Sequence, residues 1–338
     1  MRVCAPVSGI THGTKCYRIF RDKVNAPYRL ISIKVLDDAT GTGKYTAFST
    51  ALRWCAEREI DLINISMGTR QFTDFESVSK AVKHCTTRKK APKTVIVAAC
   101  SNQNTLTLPA CLPDVISVRH CDCKALRDGI GIAYIPASYD QTDVMTCVKP
   151  SVNTPSNSLA APLISAYVCD LLAQGYSGLE AVRKKLMTDA IDDDRSFIHY
   201  EFYKSLLSSW ETVGVPVILW PDSAGDSFDK LRALIRRFVQ DGYRSAALSL
   251  NQQTNVTDFV FQLSAMKSGQ TNAPASLPAL VELYYNFILP DILFLHMDAS
   301  VALTLPEGMR PDIIIDACDR EKDTESLFSH IKMIFADN

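Results

Sequence analysis

The sequence predicts a doubly wound α/β fold built on a parallel sheet, followed by a second, smaller α/β domain. Short, continuously apolar runs alternate with segments of helical period, which is the pattern of buried parallel strands covered by helices. The 338 residues suffice for about two domains, each with its own core. Apolar residues make up 47% of the chain, and the 14 Gly and 16 Pro are too few for a disordered or collagen-like protein.

The elements of the first unit follow the order strand, helix, strand, helix, strand. Residues 45–58 repeat apolar side chains with a helical period, and a second helix is predicted around residues 75–85. Residues 158–172 are almost wholly apolar and predict a helix that passes through the middle of a domain. The predicted strands are the apolar runs 29–36, 61–67, 94–100 and 115–118.

A change of domain is predicted near residues 190–214. The acidic run Asp192 to Asp194 begins this stretch, and we interpret it as a solvated loop rather than a calcium site. We expect a first domain at 1–195, a linker at 196–214 and a C-terminal α/β domain at 215–338. The predicted strands of that last domain are 217–220, 245–250, 291–296 and 312–316, and its predicted helices are 227–240, 280–288 and 324–335.

Charge and cysteine content restrict the expected partners and location. Basic and acidic residues nearly cancel, 36 against 37, so no global field recruits nucleic acid or an anionic membrane. The sequence shows neither a signal peptide nor an apolar stretch long enough to span a bilayer. The 11 irregularly spaced cysteines favour free thiols in the cytoplasm. Four of them lie in apolar runs and are expected to be buried, namely Cys55, Cys100, Cys169 and Cys318.

Four short blocks of the first unit contain the residue types of a nucleophilic enzyme. In chain order they are residues 11–14 (THGT), 63–68 (INISMG), 97–102 (VAACSN) and 156–162 (SNSLAAP). Each block alone has an ordinary explanation: an exposed histidine at a helix start, a serine that caps a helix, or an asparagine in a turn. Their occurrence together, in this order, favours a shared site.

In these blocks the sequence resembles the subtilisin-like serine proteases, the subtilase family (peptidase S8), over about residues 9–190. The resemblance implies a hydrolase in which His12 is the general base and then the general acid, Ser158 is the nucleophile and Asn102 supplies the oxyanion hole. It also implies a peptide or protein substrate, and it calls for no cofactor and no metal. The expected substrate-binding residues are Ser66, Met67, Gly68, Ala99 and Cys100.

The chemistry of these residue types supports the same roles. A serine hydroxyl is a poor nucleophile until an imidazole removes its proton, so Ser158 requires His12. A serine at the start of a long helix also offers its backbone N–H and the positive helix end to an oxyanion. The carboxamide of Asn102 adds a side-chain donor. The backbone at 66–68 can pair with an extended peptide as an added strand.

Several positions depart from the family pattern. The family's catalytic aspartate precedes the histidine on a central strand, but none of the eleven residues before His12 is acidic. We expect this strand to lie upstream of Met1 or to come from elsewhere, with Asp37 and Asp38 as makeshift substitutes at best. Without an orienting aspartate the chain is expected to be nearly inactive, since that group contributes about four powers of ten in rate. The other departures are Ser156 and Asn157 for Gly-Thr, and Ser101 for a glycine.

Three functions therefore remain open at this stage. The first is a serine endopeptidase, and the Ser-Asn-Ser block resembles that of small cytosolic subtilases associated with the maturation of ribosomally made peptides. The second is an impaired pseudo-protease that holds a peptide as a scaffold. The third is binding of a small molecule or nucleotide by the C-terminal domain, where residues 221–227 join a predicted strand to a helix and Asp298 and Asp316 end predicted strands.

Two other patterns are weaker candidates. Residues 41–44 (GTGK) lack the first glycine and the final Ser or Thr of a phosphate-binding loop. Residues 120–123 (HCDC) contain metal-binding residue types, but no second pair is spaced to complete a zinc site.

Overall fold

The computed structural model describes residues 11–37, 40, 42–87, 94–122, 126, 132–134, 141–148, 156–191, 214–222, 228–263 and 276–336. The chain divides into two compact units. One combines Met1–Arg70 with Ser77–Asp193, and the other combines Gln71–Glu76 with Asp194–Asn338. The acidic run Asp192 to Asp194 and residues 196–213 of the expected linker lie outside the described residues. No helix in the described part of the chain is both long and apolar enough to cross a membrane.

The first unit contains a sheet of five strands within the described residues. They are β1 (Leu62–Ile65), β2 (Val95–Ala99), β3 (Ile116–His120), β4 (Ile132–Tyr134) and β5 (Val144–Thr146). The strands lie in the order β1-β2-β3-β5-β4, in which only the β5–β4 pair is antiparallel. This sheet confirms the predicted parallel α/β class, and β1, β2 and β3 confirm three of the four predicted strands.

The fourth prediction, a strand at residues 29–36, is wrong for this structure. Within the described residues this segment belongs to no strand and pairs with no neighbour in the sheet. Three of its apolar side chains are exposed, namely Leu30, Ile31 and Ile33. The apolar run favours an extended backbone, but a strand also requires a ladder partner.

Five helices accompany this sheet in the described residues. They are α1 (His12–Arg21), α2 (Tyr45–Glu57), α3 (Phe75–Thr86), α4 (Asn157–Ala173) and α5 (Leu179–Asp189). One apolar cluster joins Cys16 of α1 and Ile164 of α4 to Val95, Val97 and Ala99, which lie on one face of β2. All five residues of β2 are buried, so its other face is covered as well. The predicted helices α2, α3 and α4 are therefore confirmed, and α4 lies in the core beside the sheet.

The second unit contains another sheet of five described strands, all of them parallel. They are β6 (Val217–Pro221), β7 (Ser245–Ser249), β8 (Val260–Gln262), β9 (Ile292–Met297) and β10 (Ile313–Ile314), in the order β10-β6-β9-β7-β8. Its helices are α6 (Phe228–Gln240), α7 (Leu277–Ile288), α8 (Ala299–Ala302), α9 (Ala317–Glu321) and α10 (Thr324–Ala336). These elements confirm every strand and helix predicted for the C-terminal domain and add β8, α8 and α9.

Short 3₁₀ helices complete the described secondary structure at Phe72–Asp74, Val256–Asp258 and Glu307–Met309. The first of them lies in the segment Gln71–Glu76 of the second unit. There the ring of Phe72 stacks on the ring of Phe259, with centroids 4.4 Å apart. A short piece of the N-terminal sequence thus contributes to the second core.

The nine cysteines in the described residues are all free thiols. Cys55 and Cys100 are buried, as predicted. Cys169 is half-buried and Cys318 is exposed, so the prediction was wrong for Cys318. The apolar run before Cys318 is β10 and the residues that follow it, and Cys318 itself lies on α9, none of whose residues is buried.

Candidate active site

The first turn of α1 presents His12. The hydroxyl of Thr11 caps the helix by accepting the N–H of Thr14 at 3.2 Å, so the helix begins at His12. Partial burial, and then the positive charge of Lys15, lower the pKa of His12 below its ordinary value. Its imidazole is therefore neutral at pH 7 and able to accept a proton.

The thiol of Cys16 lies between the histidine and the serine of the site. Its Sγ is 3.6 Å from His12 Nε2 and donates a hydrogen bond to the carbonyl oxygen of Ser158 at 3.5 Å. Burial raises the pKa of the Cys16 thiol, against a smaller opposing effect of the hydrogen bond with Ser66. The thiol is therefore protonated at neutral pH and can act as the donor.

The helix sequence explains why the Ser158 carbonyl is free to accept this thiol. In α4 that carbonyl would ordinarily accept the N–H of residue 162, four positions later. Residue 162 is a proline inside the helix and has no N–H. Cys16 supplies the missing donor from a different helix, because α1 packs against α4.

Ser158 occupies the second position of α4 and is half-buried. Its hydroxyl hydrogen-bonds to the hydroxyl of Ser156, the N-cap residue, at 2.9 Å. No hydrogen bond joins Ser158 to His12 within the part of the chain that the structure describes. The structure thus brings both residues to Cys16 as a common neighbour, but it does not show the serine–histidine hydrogen bond that nucleophilic catalysis requires.

Asn102 lies in the exposed turn that follows β2. Its side-chain Oδ1 accepts the backbone N–H of Asn157 at 2.9 Å, so the residue is tied to the turn that carries Ser158. Its Nδ2 has no partner among the described residues. An amide with its oxygen held and its N–H₂ group free is suited to donate to an oxyanion.

Asn157 is a residue of this site to which sequence reasoning assigned no role. It is buried, with 5% of its surface exposed, and its side chain makes two further hydrogen bonds. Its Oδ1 accepts the N–H of His120 at 2.8 Å, and its Nδ2 donates to the carbonyl of Ser101 at 2.8 Å. In the sequence it is visible only as a departure from the family's threonine; an amide beside a predicted nucleophile was the available signal.

The segment predicted to bind substrate follows β1 directly. Ser66 lies at the site, where its side chain hydrogen-bonds with the Cys16 thiol. Gly68 approaches the next segment closely, since a Cβ at that position would lie 2.5 Å from the carbonyl oxygen of Leu108. This close approach requires a glycine at 68. The adjacent Thr69 pairs with Leu108 in an isolated bridge. Among the described residues, β1 is an edge strand of the sheet.

Ala99 and Cys100 lie at the end of β2 and are both buried. The backbone N–H of Cys100 donates to the carbonyl of Val118 at 2.9 Å, inside the sheet. That N–H is already used within the sheet, so these two residues can form a wall of the site but Cys100 does not offer its N–H to a peptide.

Of the two suggested substitutes for the aspartate, Asp37 accepts hydrogen bonds from the N–H and hydroxyl of Thr40 within its own turn, and Asp38 lies outside the described residues. Among the described residues, burial and the positive charge of Lys15 act on the pKa of His12, and no carboxylate does.

The remaining sequence candidates lie only partly in the described residues, and residues 223–227 of the run 221–227 lie outside them. His120 Nδ1 accepts the N–H of Val148 at 3.2 Å, whereas Cys123 lies outside the described residues, as does Gly41 of the GTGK run. No group of three or more potential metal ligands occurs in the described ranges. Asp298 and Asp316 cap α8 and α9 with their side chains.

Comparison with known proteins identifies the family. The family model described as "Subtilase family" (peptidase S8) matches residues 3–193, which is more than half of the chain. Subtilisin DY of Bacillus licheniformis is 29% identical over 183 residues, covering 50% of this chain and 64% of that protein. The chain thus spans less than two thirds of the length of this relative.

Two solved structures are similar at low sequence identity. The prenylagaramide maturation protease PagA gives a TM-score of 0.35 at 20% identity, covering 60% of this chain and 73% of that chain. A lanthipeptide protease gives a TM-score of 0.35 at 16% identity, covering 61% of this chain and 72% of that chain. Because the family model matches residues 3–193, the chain belongs to the subtilase family.

Proposed function

We propose that this subtilase is a serine endopeptidase in which Ser158 is the nucleophile, His12 the general base and Asn102 the oxyanion donor. The observation that carries the proposal is the 2.9 Å hydrogen bond from the Asn157 N–H to Asn102 Oδ1. It ties the carboxamide to the residue next to Ser158 while the N–H₂ group keeps its capacity to donate. The contacts of Cys16 with His12 and Ser158 add the base to the same neighbourhood.

The proposed reaction follows from these groups. Ser158 Oγ attacks the scissile carbonyl while a nitrogen of His12 takes its proton, and the carbonyl π electrons move onto the oxygen. The N–H₂ group of Asn102 and the N–H groups at the start of α4 stabilise that oxyanion. His12 then donates the proton to the leaving amine, and a water molecule releases the acyl group by the same steps.

The finer substrate hypothesis is a ribosomally made peptide that is cut during its maturation. Its support is the Ser156-Asn157-Ser158 block, which resembles that of small subtilases with this role. An extended peptide could lie along residues 66–68, next to the edge strand β1. The close packing of Gly68 against Leu108 fixes this segment and is expected to restrict which residues fit beside it.

The second candidate, a pseudo-protease that binds a peptide without cleaving it, is favoured by the surroundings of His12. The pKa of His12 is lowered by burial and Lys15, whereas an orienting carboxylate would raise it. With no carboxylate partner among the described residues, His12 is a weaker general base for Ser158, because the imidazolium formed during attack is not stabilised.

A fluorophosphonate probe tests the first candidate against the second. We expect slow covalent labelling of the full chain, and loss of this labelling in Ser158→Ala. Ser156→Ala is the matched control, since it removes a neighbouring hydroxyl and leaves the proposed nucleophile in place. Absence of labelling in the wild-type chain, together with binding of extended peptides, would move the proposal to the pseudo-protease.

We also infer a reducing compartment, the cytoplasm. Nine thiols in the described residues are free, and six of them are buried. Secreted proteins of this cysteine content usually pair their thiols in disulfides. Mass spectrometry of the protein alkylated in denaturant immediately after cell lysis tests this: we expect all eleven cysteines of the chain to carry the alkyl group.

A further inference from the structure

The buried side chain of Asn157 joins the start of α4 to the turn that follows β2. The backbone N–H, the side-chain Nδ2 and the side-chain Oδ1 of Asn157 make three hydrogen bonds, two to the turn after β2 and one to the end of β3. Its N–H goes to Asn102 Oδ1, its Nδ2 to the Ser101 carbonyl and its Oδ1 to the His120 N–H, at 2.9, 2.8 and 2.8 Å. The residue therefore connects the oxyanion turn, the end of β3 and the nucleophile.

The Ser101 carbonyl is held from a second side by Arg119. This arginine has only 3% of its surface exposed, and its Nη1 donates to the Ser101 carbonyl at 3.4 Å and to the Asn104 side chain. Its Nε donates to the Thr142 hydroxyl at 3.3 Å. Buried donors thus hold the backbone carbonyl before Asn102 and the side chain of Asn104 after it, although Asn102 itself is exposed.

Fixing this turn matters because an exposed carboxamide has two orientations. With its Oδ1 bound to the Asn157 N–H, Asn102 keeps Nδ2 as the free group. In the flipped orientation the free group would be an oxygen, which would repel an oxyanion instead of donating to it. A donor that is already oriented before the reaction costs no reorganisation in the transition state.

We propose that the Asn157 side chain is a positioning group: by anchoring the Ser101 carbonyl and the His120 N–H, it keeps the Asn157 backbone N–H in place for Asn102 Oδ1 and so holds the oxyanion donor in its productive orientation. This inference rests on the proposed function of Ser158 and Asn102. A threonine hydroxyl would have to make both side-chain hydrogen bonds of Asn157 through one oxygen, whereas the carboxamide makes them through two separate atoms. The departure at 157 is therefore a different way of anchoring the turn, coupled to the Ser101 carbonyl.

A double-mutant cycle in the rate of fluorophosphonate labelling tests the inference. The single variants are Asn157→Ala, Asn157→Thr and Asn102→Ala, and each Asn157 change is repeated in the Asn102→Ala background. We expect Asn157→Ala to label about tenfold to one hundredfold more slowly, because the oxyanion donor is displaced. The labelling rate of Asn157→Thr should lie between those of Asn157→Ala and the wild-type chain. In the Asn102→Ala background either change should have no further effect.

The control is Asp170→Ala, near the other end of α4. Asp170 accepts the backbone N–H groups of Asn25 and Ala26 at 2.9 and 2.7 Å, so its loss removes hydrogen bonds from the same helix away from the site. We expect this variant to label at the wild-type rate even if its melting temperature falls. Asn157→Thr keeps the test valid if Asn157→Ala does not fold.

Two results would overturn the inference in distinguishable ways. If the wild-type chain labels and Asn157→Ala labels equally fast, or if the two changes are additive, Asn157 does not act through Asn102. If the wild-type chain does not label at all, the proposed function fails and the positioning role falls with it.

Discussion

Each unit of the molecule contains a serine and a histidine that share a neighbourhood, and the two pairs differ in how much of their hydrogen-bonding capacity is used. In the second unit Ser249 Oγ bonds to His296 Nδ1 at 2.8 Å and also accepts the N–H groups of Asn251 and Gln252. Both side chains are buried, with 0% and 2% of their surfaces exposed. His296 Nε2 faces a carboxylate oxygen of Asp222 at 3.6 Å.

In the first unit, His12 and Ser158 are more accessible and use fewer of their hydrogen-bonding groups. His12 is exposed, Ser158 is half-buried, and the Ser158 hydroxyl bonds only to Ser156 within the described residues. A buried and saturated network stabilises a fold and is closed to substrate. An accessible pair with unused groups can react. Residue type alone therefore does not separate a structural serine–histidine pair from a candidate catalytic one; the two pairs differ in exposure and in unused hydrogen-bonding groups.

The largest expected effect is on the rate of reaction at Ser158 in the first unit, with a much smaller effect on stability. Asn102→Ala should slow reaction at Ser158 by about 10²–10³-fold, or about 2.7–4 kcal/mol, because the proposed oxyanion donor is lost. Its stability should fall by only about 1 kcal/mol, because a single hydrogen bond, from the Asn157 N–H, is lost at an exposed side chain. Labelling kinetics and a urea unfolding curve measure the two quantities on the same protein.

Ser249→Ala is the counterpart in the second unit. It leaves two N–H groups and a histidine nitrogen without their partner in a buried site, at a cost of about 1–3 kcal/mol in the free energy of unfolding. The labelling rate at Ser158 should not change. An exposed serine of the same unit, Ser326, gives the matched control Ser326→Ala. A loss of labelling in Ser249→Ala would contradict the division of roles.

Glu282 is an exception in the second unit to the rule that buried polar groups have hydrogen-bond partners, so it shows what the lack of a partner costs. It is 8% exposed, and its Oε1 has no hydrogen-bond partner among the described residues. Burial raises the pKa of Glu282 to about 7. Between its ordinary value of 4.5 and about 7 the folded state binds more protons than the unfolded state, so stability falls as pH rises through this window.

We expect the free energy of unfolding to fall by about 1–3 kcal/mol from pH 4.5 to pH 8 through this group. Glu282→Gln should remove that part of the pH dependence, as measured by urea unfolding at both pH values. Glu325→Gln is the control, because Arg237 lowers the pKa of that exposed carboxylate out of the window. An unchanged pH dependence in Glu282→Gln would show that the carboxylate finds a partner.

The contact between Cys16 and Ser158 gives a smaller effect. Cys16→Ala removes the donor of the Ser158 carbonyl and should cost about 1–2 kcal/mol in stability, whereas Cys16→Ser keeps a donor and should cost less. Pro162→Ala supplies an N–H to the same carbonyl. In that background the cost of Cys16→Ala should shrink; an equal cost in both backgrounds would rule out the assigned role of the thiol.

The smallest expected effect concerns the charge beside His12. Lys15→Gln removes the positive charge that contributes to lowering the pKa of His12, so the acid limb of the labelling rate against pH should move to higher pH. Lys23→Gln, which removes a lysine just beyond α1, should leave the acid limb in place. A shift in both variants would indicate a general charge effect.

Much of this fold is readable in the sequence. Apolar runs such as those of β2 and β9 predict strands because both of their faces are buried, and the periodic pattern of α6 predicts its helix. The segment 29–36 shows where this reasoning stops. Its pattern also predicts a strand, but strand formation depends on a partner that no local pattern contains.

The same division holds for the candidate site. Local patterns are enough to predict which blocks carry a histidine, an asparagine and a serine of the right types. The packing of the chain is needed to see that the Cys16 thiol replaces the helical bond missing at Pro162 and that Asn157 anchors the turn of Asn102. These contacts join residues more than fifty positions apart, so they depend on how helices and strands pack and not on local preference.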